Sequence, residues 1–278
     1  SNFPVDMAIN RIVDSSTDTN IVSRLTGKQR LKTNATEAES LSNPSEFDFM
    51  DGWYDGTLNL PTFYSWMWKR APSYFDVVGY VGAGAAQTVN HNLGVVPEMM
   101  WIKNRDSAEN WAVYHSALGT SKYLHLNTTD AALTTDAANR WNNTSPTATQ
   151  FSVGTSTEVS HFTRDFIAYL FATVAGVSKV GSYTGDGTTS KNIDCGFSNG
   201  ARFVMIRRTD SGGGWIVFDT VRGITAAAAN PFLYLDSTAA ESQNVAFDLD
   251  PYSSGFNIGG DAGYINASGG SYIFYAIA

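Results

Sequence analysis

Hydrolysis by a nucleophilic side chain needs a Ser or Cys beside a His and a carboxylate. The four histidines of this sequence are His91, His115, His125 and His161. None stands in a nucleophile-elbow or cysteine-protease pattern, and they read as surface or turn residues. Two His one helical turn apart beside a Glu, the zinc-peptidase pattern, do not occur. Glycoside hydrolysis needs two opposed carboxylates. Its candidates are Asp48, Asp51 and Asp55 near the front, and Asp248 and Asp250 near the end. The last two could also hold Ca²⁺, but that ion takes roughly six to eight oxygens, more than this pair brings. GAGAA (82–86) and GDGTTSK (185–191) read as hairpin turns rather than phosphate cradles. We therefore assign no catalytic residue, no metal site and no cofactor, and expect a protein that is not an enzyme; a polysaccharide depolymerase is the least favoured alternative.

Aromatic side chains are the remaining chemical resource, with seven Trp and thirteen Tyr. Trp53, Tyr54, Trp141 and Tyr252 lie in segments that read as loops, where recognition residues concentrate on a fixed scaffold. They are the candidates for receptor binding. NAT, NTT, NNT and NAS place glycosylation-type triplets at Asn34, Asn127, Asn142 and Asn266, which matter only in a eukaryotic secretory setting.

The scaffold is written in repeats. MMWIKNRDSAENWAVYHSALG (99–119) and FVMIRRTDSGGGWIVFDTVRG (203–223) align without a gap. They share Asp106 with Asp210, Trp111 with Trp215 and Gly119 with Gly223. Shared residues at shared spacing are structural landmarks, and the two Trp read as core or packing residues. Around them VGYVGAG (78–84) parallels GSYTGDG (181–187), and LHLNTTDAA (124–132) parallels LYLDSTAAE (233–241). Each copy closes on an aromatic strand, FIAYLFA (166–172) and YIFYAIA (272–278). A more worn copy stands in front: MAIN (7–10) for MWIK and VMIR, LKTNATEAE (31–39), and YSWMWKR (64–70) for the closing strand. It lacks a VGYVGAG counterpart, so we expect either that the natural polypeptide extends upstream or that a neighbouring chain supplies the missing strands. The closing strand ending on Ala278 suggests a natural C-terminus.

A period near 100 residues is long for a solenoid, whose repeats run roughly 20–50 residues. It predicts three tandem units: 1–74, incomplete, then 75–177 and 178–278. Short alternating apolar runs between Gly/Asn/Asp turns predict all-β, antiparallel sandwiches of jelly-roll or lectin-like type. Residues 128–139 and 238–242 could each hold a short helix. Cys195 is the single cysteine, which excludes an internal disulfide framework and a multi-thiolate zinc site. A net charge of −8 argues against a phosphate-tracking nucleic-acid binder. No apolar run approaches the roughly 20 residues needed to cross a bilayer, and the first residues lack a signal-peptide pattern.

FYSWMWKRAPSYFDVVGYVGAG (63–84), HNLGVVPEMMWIKNRD (91–106), KVGSYTGDG (179–187) and DTVRG (219–223) resemble tail-fibre and related virion proteins of bacteriophages and prophages. The resemblance covers nearly the whole chain, and its motifs are structural rather than catalytic. It implies a virion location on a tail appendage and multivalent attachment to a glycan or protein receptor on the bacterial surface. It also implies other tail proteins as partners and a homotrimer. A purely structural connector or head decoration is the alternative.

Overall fold

The structure is a computed structural model and describes residues 2–41, 47–54, 62–226 and 229–278. The first repeat supplies β1 (Met7–Ile12), β2 (Asn20–Ser23), β3 (Gln29–Lys32), β4 (Ser40–Leu41) and β5 (Phe63–Trp68). They form one sheet in the order β4-β3-β2-β1-β5. The second supplies β6 (Phe75–Val81), β7 (Gln87–Asn90), β8 (Met99–Asn104), β9 (Ala112–His115), β10 (Leu124–His125), β11 (Gln150–Val153) and β12 (Asp165–Phe171). Its large sheet runs β10-β9-β8-β12-β6, and β11 pairs with β7 in a second layer. The third supplies β13 (Ser178–Thr184), β14 (Lys191–Asp194), β15 (Phe203–Arg208), β16 (Ile216–Asp219), β17 (Pro231–Tyr234), β18 (Ser242–Gln243), β19 (Leu249–Tyr252), β20 (Gly255–Ile258) and β21 (Ser271–Ile277). Its large sheet runs β13-β21-β15-β16-β17-β18, with β14-β20-β19 as the second layer. The fold is an all-β antiparallel sandwich.

Alternation along each strand sends side chains to two different cores. On β8, Met100 and Ile102 face the second layer with Phe151 and Val153. Met99 and Trp101 face the other way. There they join Met7 and Ile9 of β1 and Phe203 and Met205 of β15 in one cluster drawn from all three repeats. The repeats therefore share their largest core rather than standing as separately cored beads. Among the described residues, the outer face of the first sheet carries a small cluster, Val5, Ala8, Val22 and Phe47.

The ladders also correct the alignment of the first repeat by one residue. Met7 pairs with Trp68, Met99 with Phe171 and Phe203 with Ile277. Hence Arg11, not Asn10, is the counterpart of Lys103 and Arg207. A slip of one residue turns every side chain to the opposite face, so the correction is physical. With it, Asp14-Ser15 falls on Asp106-Ser107 and Asp210-Ser211, and Gly27 falls on Gly119 and Gly223. All three glycines have positive φ, +61°, +65° and +133°, which L side chains adopt reluctantly.

Two other expectations fail. The Gly-rich segments after β6 and β13 are not hairpin turns, because β6 and β7 lie in different sheets, as do β13 and β14. A Cβ on Gly82 would stand 2.1 Å from the His161 carbonyl oxygen, and one on Gly185 2.2 Å from that of Ala267. These glycines admit a close backbone crossing. The expected helices shrink to one turn, Ala138–Trp141, and none at 238–242. The amide of Ala132 donates to Thr209 O and that of Glu241 to Val13 O, so both segments spend their donors on other repeats.

Candidate functional site

The seams between repeats are held by equivalent hydrogen bonds. Glu39 N donates to Arg105 O at 2.7 Å, Ala132 N to Thr209 O at 2.8 Å and Glu241 N to Val13 O at 2.6 Å. These are equivalent positions in the corrected register, so the first repeat bonds the second, the second the third and the third the first. The chain closes on itself as a ring of three. Trp111 Nε1 donates to Lys32 O and Trp215 Nε1 to His125 O, each at 2.9 Å. The first repeat has Thr19 where the others have Trp. Arg11 fills that space, bonding Thr19 Oγ1 at 3.2 Å and reaching Tyr234 O at 3.1 Å. Tyr234 is the counterpart of Lys32 and His125, so a guanidinium from the neighbouring strand does the work of an indole. Asn34, Asn127 and Asp236 are likewise equivalent, accepting from the amides of Thr19, Trp111 and Trp215.

Arg11, Lys103 and Arg207 are all buried at the edge of the shared core. Burial lowers the two guanidinium pKa values to about 10 and that of the Lys103 ammonium to about 8. Carbonyl oxygens hold them: Asn104 O and Ser107 O for Lys103, and Asp130 O of the second repeat for Arg207.

The landmark residues prove to be seam and turn residues. Asp106 accepts from Asp165 N and Asp210 from the equivalent Ser271 N. Trp111 and Trp215 are buried within one chain, so they are not available as a subunit interface. The histidines are less exposed than expected. His91, His115 and His125 are buried. The Nδ1 of His115 accepts from Ala117 N, as its counterpart Asp219 accepts from Val221 N. His125 and Arg140 hold the buried Glu158. Burial raises that carboxyl, and the two partners more than reverse it, to about 2. Asp248 and Asp250 approach the same glycine, Gly259; Asp48 and Asp51 are exposed, and Asp55 lies outside the described residues. No group of three or more metal-ligating side chains occurs among the described residues. Cys195 is a buried free thiol, pushed up to about 12 by burial.

The four aromatic candidates do not converge. Trp141 is a core residue, 1% exposed, set edge-on to Tyr114 and donating to Lys122 O. Its loop is short and its indole turns inward, which removes it from the receptor candidates. Trp53 stacks on Phe47 at 5.8 Å in the small outer cluster. Tyr54 is 48% exposed. Tyr252 lines a pocket of about 420 Å³ in the third repeat with Asn199 and Ile224.

A larger cleft of about 610 Å³ lies elsewhere, lined by Thr129, Arg208, Gly212 to Gly214, Tyr234, Asp236 and Tyr264. Its floor is the glycine run. A Cβ on Gly214 would stand 2.3 Å from the Tyr234 ring, and one on Gly213 3.1 Å from that of Tyr264. In the second repeat the same places hold Ala108, Glu109 and Asn110, and Asn110 bonds Glu158 and Asn127. The glycine floor is therefore particular to the third repeat, while the cleft itself lies on a seam, with Thr129 of the second repeat in its wall. The first repeat has a smaller pocket of about 440 Å³ at the equivalent place, lined by Ser16, Thr17, Asp18 and, across the seam, Thr238. Tyr264, on the one-turn helix Gly263–Asn266, is 47% exposed. Arg208 is anchored by Asp210 and Gly263 O. Burial raises the Asp236 carboxyl against the opposing pull of its backbone donors and Arg207. The signal in the sequence was GGG against AEN at three aligned positions.

No curated protein and no solved structure matches the chain. One family model does, over residues 69–278, which covers the second and third repeats with the end of the first. The chain belongs to the family described as "Domain of unknown function (DUF7483)".

Proposed function

We propose that this chain is a receptor-binding module of a virion appendage of the phage tail-fibre kind, acting outside the cell at the bacterial surface. The observation that carries the reading is the glycine-floored cleft where the third repeat meets the second. An exposed tyrosine, an anchored arginine and a carboxylate surround a floor stripped of side chains. Aromatic faces beside a few fixed polar groups suit a saccharide, whose rings have an apolar face and a hydroxyl edge. The ring of repeats supports the same reading, because it supplies a rigid frame on which one repeat can diverge. Resemblance of the repeat motifs to virion proteins supplies the setting. In that setting other tail proteins are partners, and several copies on one appendage raise avidity without new contacts.

The test is binding of the labelled protein to a panel of intact bacteria and to their purified surface polysaccharides. Saturable binding to a susceptible strain is expected, with free polysaccharide competing. Tyr264→Ala should weaken it by about 10- to 100-fold, the loss of one aromatic anchor. Failure of the folded wild-type protein to bind any cell or polysaccharide would end the receptor reading.

A further inference from the structure

The ring has one unfilled place. In the second repeat β6 pairs with the outer edge of β12, and in the third β13 pairs with that of β21. The equivalent strand of the first repeat is β5, and among the described residues only β1 pairs with it. Its burial records the difference. Tyr169 and Tyr275 are 0% and 1% exposed, whereas their counterpart Trp66 is only half-buried. Phe166 and Tyr272 are buried, and their counterpart Phe63 is half-buried. A groove of about 600 Å³ runs beside β5, lined by Tyr64, Trp66, Phe203, Val221 and Ile277 among others.

The two filled places define what fits the third. Val77 lies opposite Tyr169 and Val180 opposite Tyr275, and both valines belong to the shared core. Three residues on, Tyr80 stacks on Phe166 at 5.1 Å and Tyr183 on Tyr272 at 4.9 Å. The occupant strand is thus Val-x-x-Tyr, with Val on the inner face and Tyr on the outer. We infer that the edge of β5 is an acceptor for an antiparallel strand of this kind, Val opposite Trp66 and Tyr opposite Phe63. Val-x-x-Tyr occurs twice in the sequence, at 77–80 and 180–183, and both copies are in use. A second copy of the chain has none to spare, so the donor is a polypeptide segment outside these 278 residues. Main-chain bonds would give the affinity and the two side chains the register.

Thr62 O and Trp68 O accept from the β1 side, at Val13 N and Asp6 N. By alternation the backbone groups of Phe63, Ser65 and Met67 point outward, free to take the strand. This supplies a clean variant. Proline at Ser65 removes an outward amide that the isolated edge does not use, and edge strands tolerate that.

The probe is the synthetic peptide VSKVGSYTGD, residues 177–186, added to the full chain and followed by hydrogen exchange. Saturable equimolar binding is expected, with exchange at residues 63, 65 and 67 about tenfold slower and no change on β12 or β21. A peptide with Ser at both Val180 and Tyr183, and the wild-type peptide on Ser65→Pro protein of unchanged melting temperature, should give no protection. The inference is overturned if the peptide protects nothing at millimolar concentration, if it protects another edge, or if Ser65→Pro binds equally well. Self-association of the chain through β5, read as a dimer by light scattering with β5 already protected, would make a second copy the occupant and also overturn it.

Discussion

Lys103 shows how a single residue ties the seams to pH. Its ammonium is fully buried and bonded to two carbonyl oxygens. Burial lowers its pKa to about 8, against about 10.4 in an unfolded chain. Between those values the unfolded state binds the proton and the folded state does not, so this residue's contribution to stability rises with pH. Urea unfolding of wild type and Lys103→Met should show wild type gaining about 2 kcal/mol on the variant between pH 7 and 9.5. A constant difference would mean that Lys103 keeps its proton throughout. Nothing in the sequence distinguished this lysine from a solvated one, because a cation on a strand faces water or core according to register alone.

Among elements, the outcome depended on how much of each signal was local. Trp111 and Trp215 were legible as packing residues because they recur at one spacing, and the structure buries both. What they pack against was not legible, since the acceptors Lys32 O and His125 O are backbone atoms of another repeat. The worn first repeat was found from MAIN and YSWMWKR but placed one residue out, because apolar alternation fits two registers almost equally. Asp14, Ser15 and Gly27 decide between them. Trp141 was misread as a loop platform, although its neighbours Ala137 and Ala138 sit at the start of a helical turn that carries the indole inward. The cleft was not foreseen, since its walls come from segments far apart in the chain. At this scale Trp215→Phe keeps one aromatic ring but removes the indole's five-membered ring and its donor, leaving His125 O unpaired beside a small void in the seam. We expect a loss of about 1–3 kcal/mol and a chain that still folds, measured by chemical denaturation; no loss would show that the bond is replaceable.

For the whole molecule, a core shared by three sheets makes the repeats interdependent. Opening any one of them uncovers Met7, Trp101 or Met205 of the same cluster. The chain should therefore unfold in one calorimetric transition, with equal calorimetric and van't Hoff enthalpies. A fragment of residues 69–278 should melt lower than the full chain and bind a hydrophobic dye. Two resolved transitions, or a fragment as stable as the whole, would return the repeats to independent units.

The three bonds that close the ring run from backbone amide to backbone carbonyl, at Glu39, Ala132 and Glu241. Such a joint does not require particular side chains beside it, as the unlike acceptor residues Arg105, Thr209 and Val13 show. Mutation can therefore rewrite the surface of one sector while the other two hold it in place, much as a jig holds a workpiece. For a protein facing a partner that changes, this is a source of evolvability: new specificities can be sampled on the third repeat without re-solving how the ring assembles. The same property makes positions 211–214 and 263–264 a natural place to diversify in a selected library.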